Sequence, residues 1–429
     1  MKKWGRSHFF GERVEELKAT RPEKMTLTPF LFCAALLLSL NVLPARASVA
    51  DSVGTRACAA LTARVDAFAG SAPVLLRSYD AEHGSGEPDD PALHTAAFVY
   101  DNSLAAIALL ACDRPVQAAR IGAALRSAAT HDARLRNAYR AGLVEAAPLP
   151  NGWWDARKSR WSEDAYQNGS ATGNVAWTAL ALLTLDKATG EAGYNDAAEH
   201  LAQWVVDHAS ETSGDGGFSG GVFGFDAKPQ RLNWRSTEHN IDLVALFDAL
   251  VRVRGAKWQP AADAARRFVT ARWDAGDAHL LIGTKDDGTT PNRDTSALDV
   301  QLWAQLLSNV PASWRGAVAY AERAHRVPGG FDFNADHDGL WLEGTAQAAL
   351  VYRTLGREAD AQALFATIDA QFSTGGMVYA TREARISTGL ALGADSKSAD
   401  FYYFRRPHLA ATAWAALAAR RRNPFLPEG

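Results

Sequence analysis

The stretch RSTEHNID, residues 235–242, runs directly into the apolar stretch LVALF, residues 243–247. A helix is predicted to begin here, because the hydroxyl of Ser236 or Thr237 can accept a hydrogen bond from the free backbone N–H groups of a first turn. The segment behind it is almost wholly apolar, which is typical of a helix surrounded by other elements. Its first turn nevertheless carries acids and an imidazole, so it is either a tuned site or a well-capped helix end.

The same design recurs along the chain. Apolar, alanine-rich helices are predicted at 95–111, 172–185, 236–251, 295–307, 341–355 and 407–419. Amphipathic helices, with their charges on one face, are predicted at 56–69, 115–129, 194–209, 259–273, 312–326 and 358–371. Because the two kinds alternate strictly, they form six predicted helical hairpins.

The connections between these helices are asymmetric. The connection after each apolar helix is short, whereas the connection before it is usually long and rich in Gly, Trp and Asp, as at 70–94, 130–171 and 372–406. Loops beyond about 12–15 residues in a compact domain are usually functional. All six long loops would lie with the N-termini of the apolar helices, so that end is the predicted working face.

An inner ring of apolar helices sheathed by amphipathic ones is an all-α (α/α)6 toroid. With inner-helix starts such as Val99-Tyr100-Asp101-Asn102, Thr237-Glu238-His239-Asn240 and Arg406-Pro407-His408, the chain resembles the six-hairpin glycosidase-like proteins over residues 55–425. That superfamily includes many glycoside hydrolases, some polysaccharide lyases and sugar epimerases. An open helical solenoid is the alternative architecture, although its repeats are usually shorter and more regular.

A toroid would bring the polar residues of the inner-helix starts to one central basin. Two carboxylates there can hydrolyse a glycosidic bond with inversion if they lie about 6.5–9.5 Å apart. Glu238 and Asp101 are the leading catalytic candidates, and Glu343 is held in reserve. Asp299 has a competing structural interpretation, because Ser296-x-x-Asp299 fits a capping box.

Other polar and aromatic residues of this face are predicted to bind substrate. Flat rings can contact the C–H faces of sugars while amides, acids and imidazoles bind the hydroxyls. These predicted substrate-binding residues are Tyr100, Asn102, Trp153, Trp154, Asn174, His239, Asp242, Asp299, Trp341, Tyr403, Arg406 and His408.

Two further chemistries remain open at this stage. A facing pair of His239 and His408 could move a proton in epimerisation, but epimerases are usually intracellular and the leader described below argues against them. A lyase acting on a uronate-containing glycan could use Asn174 or Arg406 to neutralise the uronate and His239, Tyr402 or Tyr403 as base. A non-catalytic glycan-binding protein is the third alternative.

Composition excludes several partners. The net charge is −3 with both signs interspersed, which gives no reason to propose a nucleic acid or an anionic membrane surface. The chain has no H-E-x-x-H or Cys/His spacing, and the Gly-rich stretch 214–221 lacks the Gly-Lys-Ser/Thr ending of a phosphate loop. The sequence therefore predicts neither a metal nor a cofactor, and an oligo- or polysaccharide is the expected partner.

Residues 1–47 have the features of a signal peptide. The apolar run 31–43 is too short to span a bilayer, which needs about 20 residues, and it ends in Ala45-Arg46-Ala47, an A-x-A cleavage pattern. Translation could begin at Met1 or at Met25. We expect cleavage after Ala47, no stable membrane insertion afterwards, one toroid domain over 48–429, and a periplasmic or secreted protein.

The mature chain would keep two cysteines, Cys58 and Cys112. Cys58 lies near the predicted start of the first outer helix, and Cys112 closes the first inner helix. In an antiparallel hairpin these positions are neighbours, and an oxidising compartment permits the bond. A disulfide is therefore predicted at the end of the fold opposite the long loops.

Taken together, the sequence is interpreted as an exported inverting glycoside hydrolase.

Overall fold

The computed structural model describes residues 48–82 and 88–427. The predicted signal peptide lies outside the described residues. Within the described ranges, no helix combines the length and apolar character needed to span a membrane.

Six helices that are buried over most of their length alternate with six helices that expose one face, as predicted. The inner helices are α2 (Val99–Ala111), α5 (Thr172–Thr189), α7 (Thr237–Arg254), α9 (Leu298–Trp303), α11 (Leu342–Thr354) and α13 (Leu409–Ala419). The outer helices are α1 (Val49–Asp66), α3 (Pro115–His131), α6 (Tyr194–Ala209), α8 (Gln259–Ala271), α10 (Gly316–Ala324) and α12 (Glu358–Asp369). A short helix, α4 (Ala165–Asn168), lies in the second long loop.

Each inner helix packs against the next, and α13 packs against α2, so the inner ring closes. The first outer helix, α1, packs against α12 and α13, which joins the two ends of the described chain. In a ring of six, α7 stands opposite α13, α2 opposite α9, and α5 opposite α11. This all-α toroid confirms the predicted fold class.

The long loops contain short antiparallel strands, which the sequence did not mark. They form seven two-stranded ribbons and one three-stranded sheet, ordered β7-β8-β9. The strands are β1 (Val74–Leu75), β2 (Ala96–Phe98), β3 (Ala138–Arg140), β4 (Gly142–Leu143), β5 (Trp153–Asp155), β6 (Arg160–Ser162), β7 (Ser170–Ala171), β8 (Gly221–Phe223), β9 (Gln230–Leu232), β10 (Trp273–Asp274), β11 (His279–Leu280), β12 (Gly283–Thr284), β13 (Pro291–Asn292), β14 (Arg326–Val327), β15 (Gly330–Phe331), β16 (Arg385–Ser387) and β17 (Tyr402–Phe404). The pairs are β1-β4, β2-β3, β5-β6, β10-β11, β12-β13, β14-β15 and β16-β17.

Helices α1 and α9 differ most from their predicted bounds. Helix α1 begins at Val49 rather than at residue 56, because Ser48 and Asp51 form a reciprocal capping box. Helix α9 is a single stretch of six residues, and the rest of the predicted segment 295–307 is irregular or turn.

The ends of the inner helices opposite the long loops are tightly closed. Cys58 and Cys112 form a disulfide with Cα atoms 5.6 Å apart. Because α1 starts early, Cys58 lies in the middle of α1 and not near its start. After α13 the chain turns back, and Phe425 packs edge-on against Trp177 with ring centroids 4.9 Å apart and at 5.5 Å from Trp303. The centre of the ring is therefore filled with aromatic side chains.

Candidate active site

The mouth of α7 has the predicted N-cap. The hydroxyl of Ser236 accepts a hydrogen bond from the backbone N–H of His239 at 3.3 Å. Glu238 and His239 are partly accessible, whereas Asp242 is fully buried next to the indole of Trp177, whose hydrogen bond lowers the pKa of this acid while burial raises it. The helix therefore begins as a cap and also carries a buried acid one turn deeper.

A glycine on the neighbouring inner helix makes room for this arrangement. A Cβ at Gly173 would lie 2.5 Å from Cδ2 of His239 and 3.1 Å from Oδ2 of Asp242. Both side chains are therefore packed against the backbone of α5. Burial lowers the pKa of His239 to about 4, so this imidazole is neutral near pH 7.

The opposite side of the basin is held by paired groups. The hydroxyl of Tyr100 donates a hydrogen bond to Oε1 of Glu343 at 2.6 Å, and Nε1 of Trp414 donates to the same hydroxyl at 3.0 Å. His408 lies between two acids, with Nε2 at 3.5 Å from Oδ2 of Asp101 and Nδ1 at 3.8 Å from Oε2 of Glu343. Helices α2, α11 and α13 thus converge on one cluster.

His408 is held in place by its own helix and by a ring. Its Nδ1 accepts the backbone N–H of Ala411 at 3.4 Å, so His408 caps α13 and its Nε2–H faces Asp101. Tyr79 stacks on the imidazole with ring centroids 4.5 Å apart. Burial lowers the pKa of His408, but Asp101 and Glu343 together outweigh burial, and the net pKa is raised.

Four carboxyl groups of the basin are held towards their protonated forms. Burial, followed by the charges of Asp299 and Glu343, raises the pKa of Glu238 well above its ordinary value. Burial and the charge of Glu238 do the same for the pKa of Asp242. Burial raises the pKa of Asp299, and that of Glu343, to about 7. These groups therefore lie close enough to influence one another, although they come from three helices.

The capping box predicted at Asp299 is wrong. Helix α9 is capped by Ala297, one residue later than expected, and Ser296 instead bonds its hydroxyl to Nε2 of the buried His325 at 3.0 Å. Oδ1 of Asp299 accepts the backbone N–H of Val300. Asp299 is therefore not committed to capping, and its charge acts on Glu238 in the basin.

Two asparagines of the predicted binding set serve the protein itself. The Asn102 amide exchanges hydrogen bonds with the backbone of Leu76 and also donates to Phe98, so it ties the first long loop to α2. This full set of protein partners corrects the substrate contact predicted for Asn102. Asn174 donates to Oδ1 of Asn137 at 2.9 Å but remains partly accessible beside Tyr166.

The predicted aromatic residues fall into two groups. Trp341 is buried and packs on Tyr403 with ring centroids 5.4 Å apart, and Tyr403 in turn meets His408 edge-on at 6.1 Å. Trp153 and Trp154 lie on the β5-β6 ribbon, where Trp154 is 62% exposed. Tyr403 thus lies at the basin, whereas the exposed face of Trp154 lies on a loop ribbon. Arg406 is half-buried two residues before His408.

Tyr79 and Gly173 were missed by the sequence analysis. Tyr79 reaches His408 through a bridge between distant segments, for which no local pattern exists. Gly173 lies directly before Asn174 in an inner-helix start, and a glycine inside an apolar helix is a signal that could have indicated close packing.

An acidic group was also missed in the loop before α11. Carboxylate oxygens of Asp332, Asp336 and Asp338 lie within 4.8 Å of one another. Burial raises the pKa of Asp332 to about 7, and its oxygens accept the backbone N–H groups of Phe333 and Gly339. Oxygen ligands of this kind suit hard cations such as Ca²⁺. The D-x-N-x-D-x-D spacing of residues 332–338 was the available signal.

Comparison with solved structures identifies the architecture. A glycosidase solved in complex with glucose matches 88% of this chain and 98% of its own, at 14% identity and a TM-score of 0.57. Cellobiose 2-epimerase from Spirochaeta thermophila covers 87% and 97%, at 14% identity and a TM-score of 0.57. D-mannose isomerase covers 87% and 96%, at 11% identity and a TM-score of 0.61.

These proteins belong to the six-hairpin glycosidase-like superfamily, and the resemblance drawn from the sequence is confirmed at the level of the fold. No protein-family model and no curated protein sequence matches the chain.

Proposed function

We propose that the protein is an exported carbohydrate-active enzyme that hydrolyses a glycosidic bond in the basin at the inner-helix N-termini. The observation that carries this proposal is the position of Glu238 in the basin, where the charges of Asp299 and Glu343 act on it. A helix N-terminus lowers a carboxyl pKa, which opposes a general acid. Here burial and two neighbouring acids reverse that effect and raise the pKa of Glu238. The raised pKa favours Glu238 as the group that would protonate a departing glycosidic oxygen.

A second carboxylate is available to act on water. Oδ2 of Asp101 lies at 3.5 Å from Nε2 of His408, which orients a carboxylate that could accept a proton from a water. Asp101 and Glu238 begin helices that are separated in the ring by α5. Inversion would require the two carboxyl groups to lie about 6.5–9.5 Å apart, with a water between the base and the sugar. Glu343 is held by Tyr100 and Gln347 on one oxygen, which fits a supporting role.

The fold supports a sugar as the substrate. Solved proteins with this fold include a glycosidase, an alpha-amylase, an epimerase and an isomerase. Export is proposed from the leader-like residues 1–47, and the Cys58–Cys112 disulfide is consistent with an oxidising compartment.

One specific observation favours a second candidate, a sugar isomerase or epimerase. His239 and His408 begin opposite helices of the ring, and His239 is neutral because burial lowers its pKa to about 4. A neutral imidazole can accept a substrate proton, and the Nε2–H of His408 across the basin could return one.

Isotope labelling distinguishes hydrolysis from isomerisation. Purified protein is incubated with an oligosaccharide panel in H₂¹⁸O and, separately, in D₂O. Hydrolysis places ¹⁸O at the new reducing end and releases the inverted anomer, which NMR detects before mutarotation. Isomerisation places deuterium on carbon with no chain shortening. Deuterium incorporation without cleavage would overturn the hydrolase proposal.

A further inference from the structure

The loop between strands β16 and β17, residues 388–401, extends from the start of α13 to other sectors of the ring. Beyond the β16-β17 ribbon, the backbone N–H of Thr388 donates to the carbonyl of Phe401 at 3.0 Å. The N–H of Phe401 donates in turn to the carbonyl of Leu390 at 3.1 Å. The two arms of the loop therefore stay together as one hairpin, which we call the strap.

The ribbon that carries the strap lies at the basin. Tyr403, on β17, meets His408 edge-on with ring centroids 6.1 Å apart. Burial raises the pKa of Tyr403, and the charges of Glu343 and Asp299 raise it further. These acids come from α11 and α9, so the strap begins beside the candidate catalytic groups.

The first arm of the strap contacts the long loops before α11 and α9. At its root, the backbone N–H of Ser387 donates to Oδ2 of Asp338 at 2.8 Å. Two residues later, a Cβ at Gly389 would lie 2.9 Å from Nδ2 of Asn334 and 3.3 Å from Oγ1 of Thr295. Asp338 and Asn334 precede α11, and Thr295 precedes α9, so the strap is packed against both loops.

The tip of the strap reaches the loop before α7, on the side of the ring opposite α13. A Cβ at Gly393 would overlap the ring of Phe223 on β8, a side chain that is 9% exposed. Burial raises the pKa of Asp164, in the loop before α5, and the charges of Asp90 and Asp395 add to the increase. The strap therefore extends from the loop before α13 to the opposite side of the ring.

Every straight path across the basin meets the strap. The strap belongs to the loop before α13 and contacts the loops before α11, α9 and α7. Because α13 stands opposite α7, α11 opposite α5, and α9 opposite α2, each diameter of the ring has the strap at one end or at both. A polymer bound by an internal segment needs an exit at both ends of such a path, whereas a chain end needs only one.

We propose that the strap restricts the enzyme to glycan chain ends and short oligosaccharides and excludes the internal segments of polymers. This inference rests on the proposed function and defines which bonds of the substrate are cleaved. Gly393 and Phe223, which hold the tip in place, are specificity-determining residues outside the candidate catalytic set.

The test follows viscosity and new reducing ends together on soluble starch, pullulan, xylan, mannan and mixed-linkage β-glucan. Internal cleavage lowers viscosity steeply for each new reducing end, whereas terminal cleavage barely changes it. We expect the wild-type protein to release short products, from a polymer or from the oligosaccharide panel alone, without a steep fall in viscosity. A steep fall would overturn the inference and leave the hydrolase proposal intact. If no new reducing end appears from any polymer or oligosaccharide, the hydrolase proposal fails and this inference fails with it.

Two variants test whether the strap is the cause. Replacing residues 391–399 by Gly-Gly should open the basin, so the ratio of internal to terminal cleavage should rise by about tenfold or more. Phe223→Ala removes the ring under the tip and should raise the ratio less. Phe225→Ala is the matched control, because Phe225 is 42% exposed on the same loop.

An unchanged ratio in both strap variants, or an equal rise in the control, would contradict the inference. Circular dichroism and thermal melting verify that each variant is folded. If the shortened chain does not fold, the comparison of Phe223→Ala with Phe225→Ala decides.

Discussion

The two ends of the toroid differ in how well their buried groups are paired and packed. At the loop end, acids from several inner helices are buried together, and Oε2 of Glu343 makes no hydrogen bond to the described residues. At the other end the connections are short, a disulfide joins α1 to Cys112, and Phe425 fills the centre. The unfavourable burial of acids is therefore concentrated at the loop end, where catalysis is expected. The disulfide and the aromatic packing, which stabilise the fold, lie at the other end. Substitutions at the loop end should therefore change activity more than stability, and substitutions at the other end should change stability more than activity.

The sharpest separation is expected for Glu238→Gln. The amide keeps the shape but cannot give up a proton, so turnover should fall by about 10²–10⁴, while the melting temperature changes little. Turnover is measured on the substrate found with the oligosaccharide panel, and melting by differential scanning calorimetry. Asp263→Asn on α8 should leave turnover unchanged. Retained activity in Glu238→Gln would remove Glu238 from the catalytic set.

The reverse pattern is expected for the double variant Cys58→Ser/Cys112→Ser. The disulfide closes a separation of 54 residues, which stabilises the fold by about 4 kcal/mol on the chain-entropy model. Denaturant unfolding should show this loss, and kcat at a temperature well below unfolding should stay near the wild-type value. Chemical reduction of the wild-type protein is the matched comparison. A large drop in kcat with stability unchanged would break the contrast between the two ends.

A smaller loss of stability is expected for Phe425→Leu. Leucine keeps most of the buried apolar area but removes the edge-on contact with Trp177 and the second ring contact with Trp303, which should cost about 1–2 kcal/mol. Urea unfolding measures it. A substrate KM that rises together with the stability loss would show that the aromatic centre transmits strain to the basin.

The smallest effect concerns pH. The pKa of Asp242 is raised in the folded protein, so its contribution to stability is fully present below the unfolded pKa near 4 and is lost as pH rises through the folded pKa. Asp242→Asn cannot ionise, so its free energy of unfolding should fall less between pH 5 and pH 8 than that of the wild type. If the stability of the two proteins changes in parallel with pH, the pKa of Asp242 is not raised in the folded state.

Much of the fold could be predicted because its signals are local. Apolar and amphipathic helices alternate, and Ser236 caps α7 as its sequence indicates. The contacts of the basin were harder to predict, because ring closure brings together groups far apart in sequence. Tyr100 and Glu343 bond across 243 residues. Asp299 shows a different failure, since shifting the start of α9 by one residue turned an expected cap into a basin acid. Asn102 has a side chain of the kind that often binds ligands, and only its hydrogen bond with the backbone of Leu76 shows that it holds a loop instead.

The packing of α1 against α12 and α13 also determines when the protein can become complete during synthesis. The ribosome makes α1 first and α13 last, so the seam of the ring cannot form until almost the whole chain has emerged. Until then α1 and α2 present apolar faces that await their last partners, and the Cys58–Cys112 bond can clamp this early pair. A circular permutant that begins at the short connection after α2 would move the seam and change the order in which the ring is assembled.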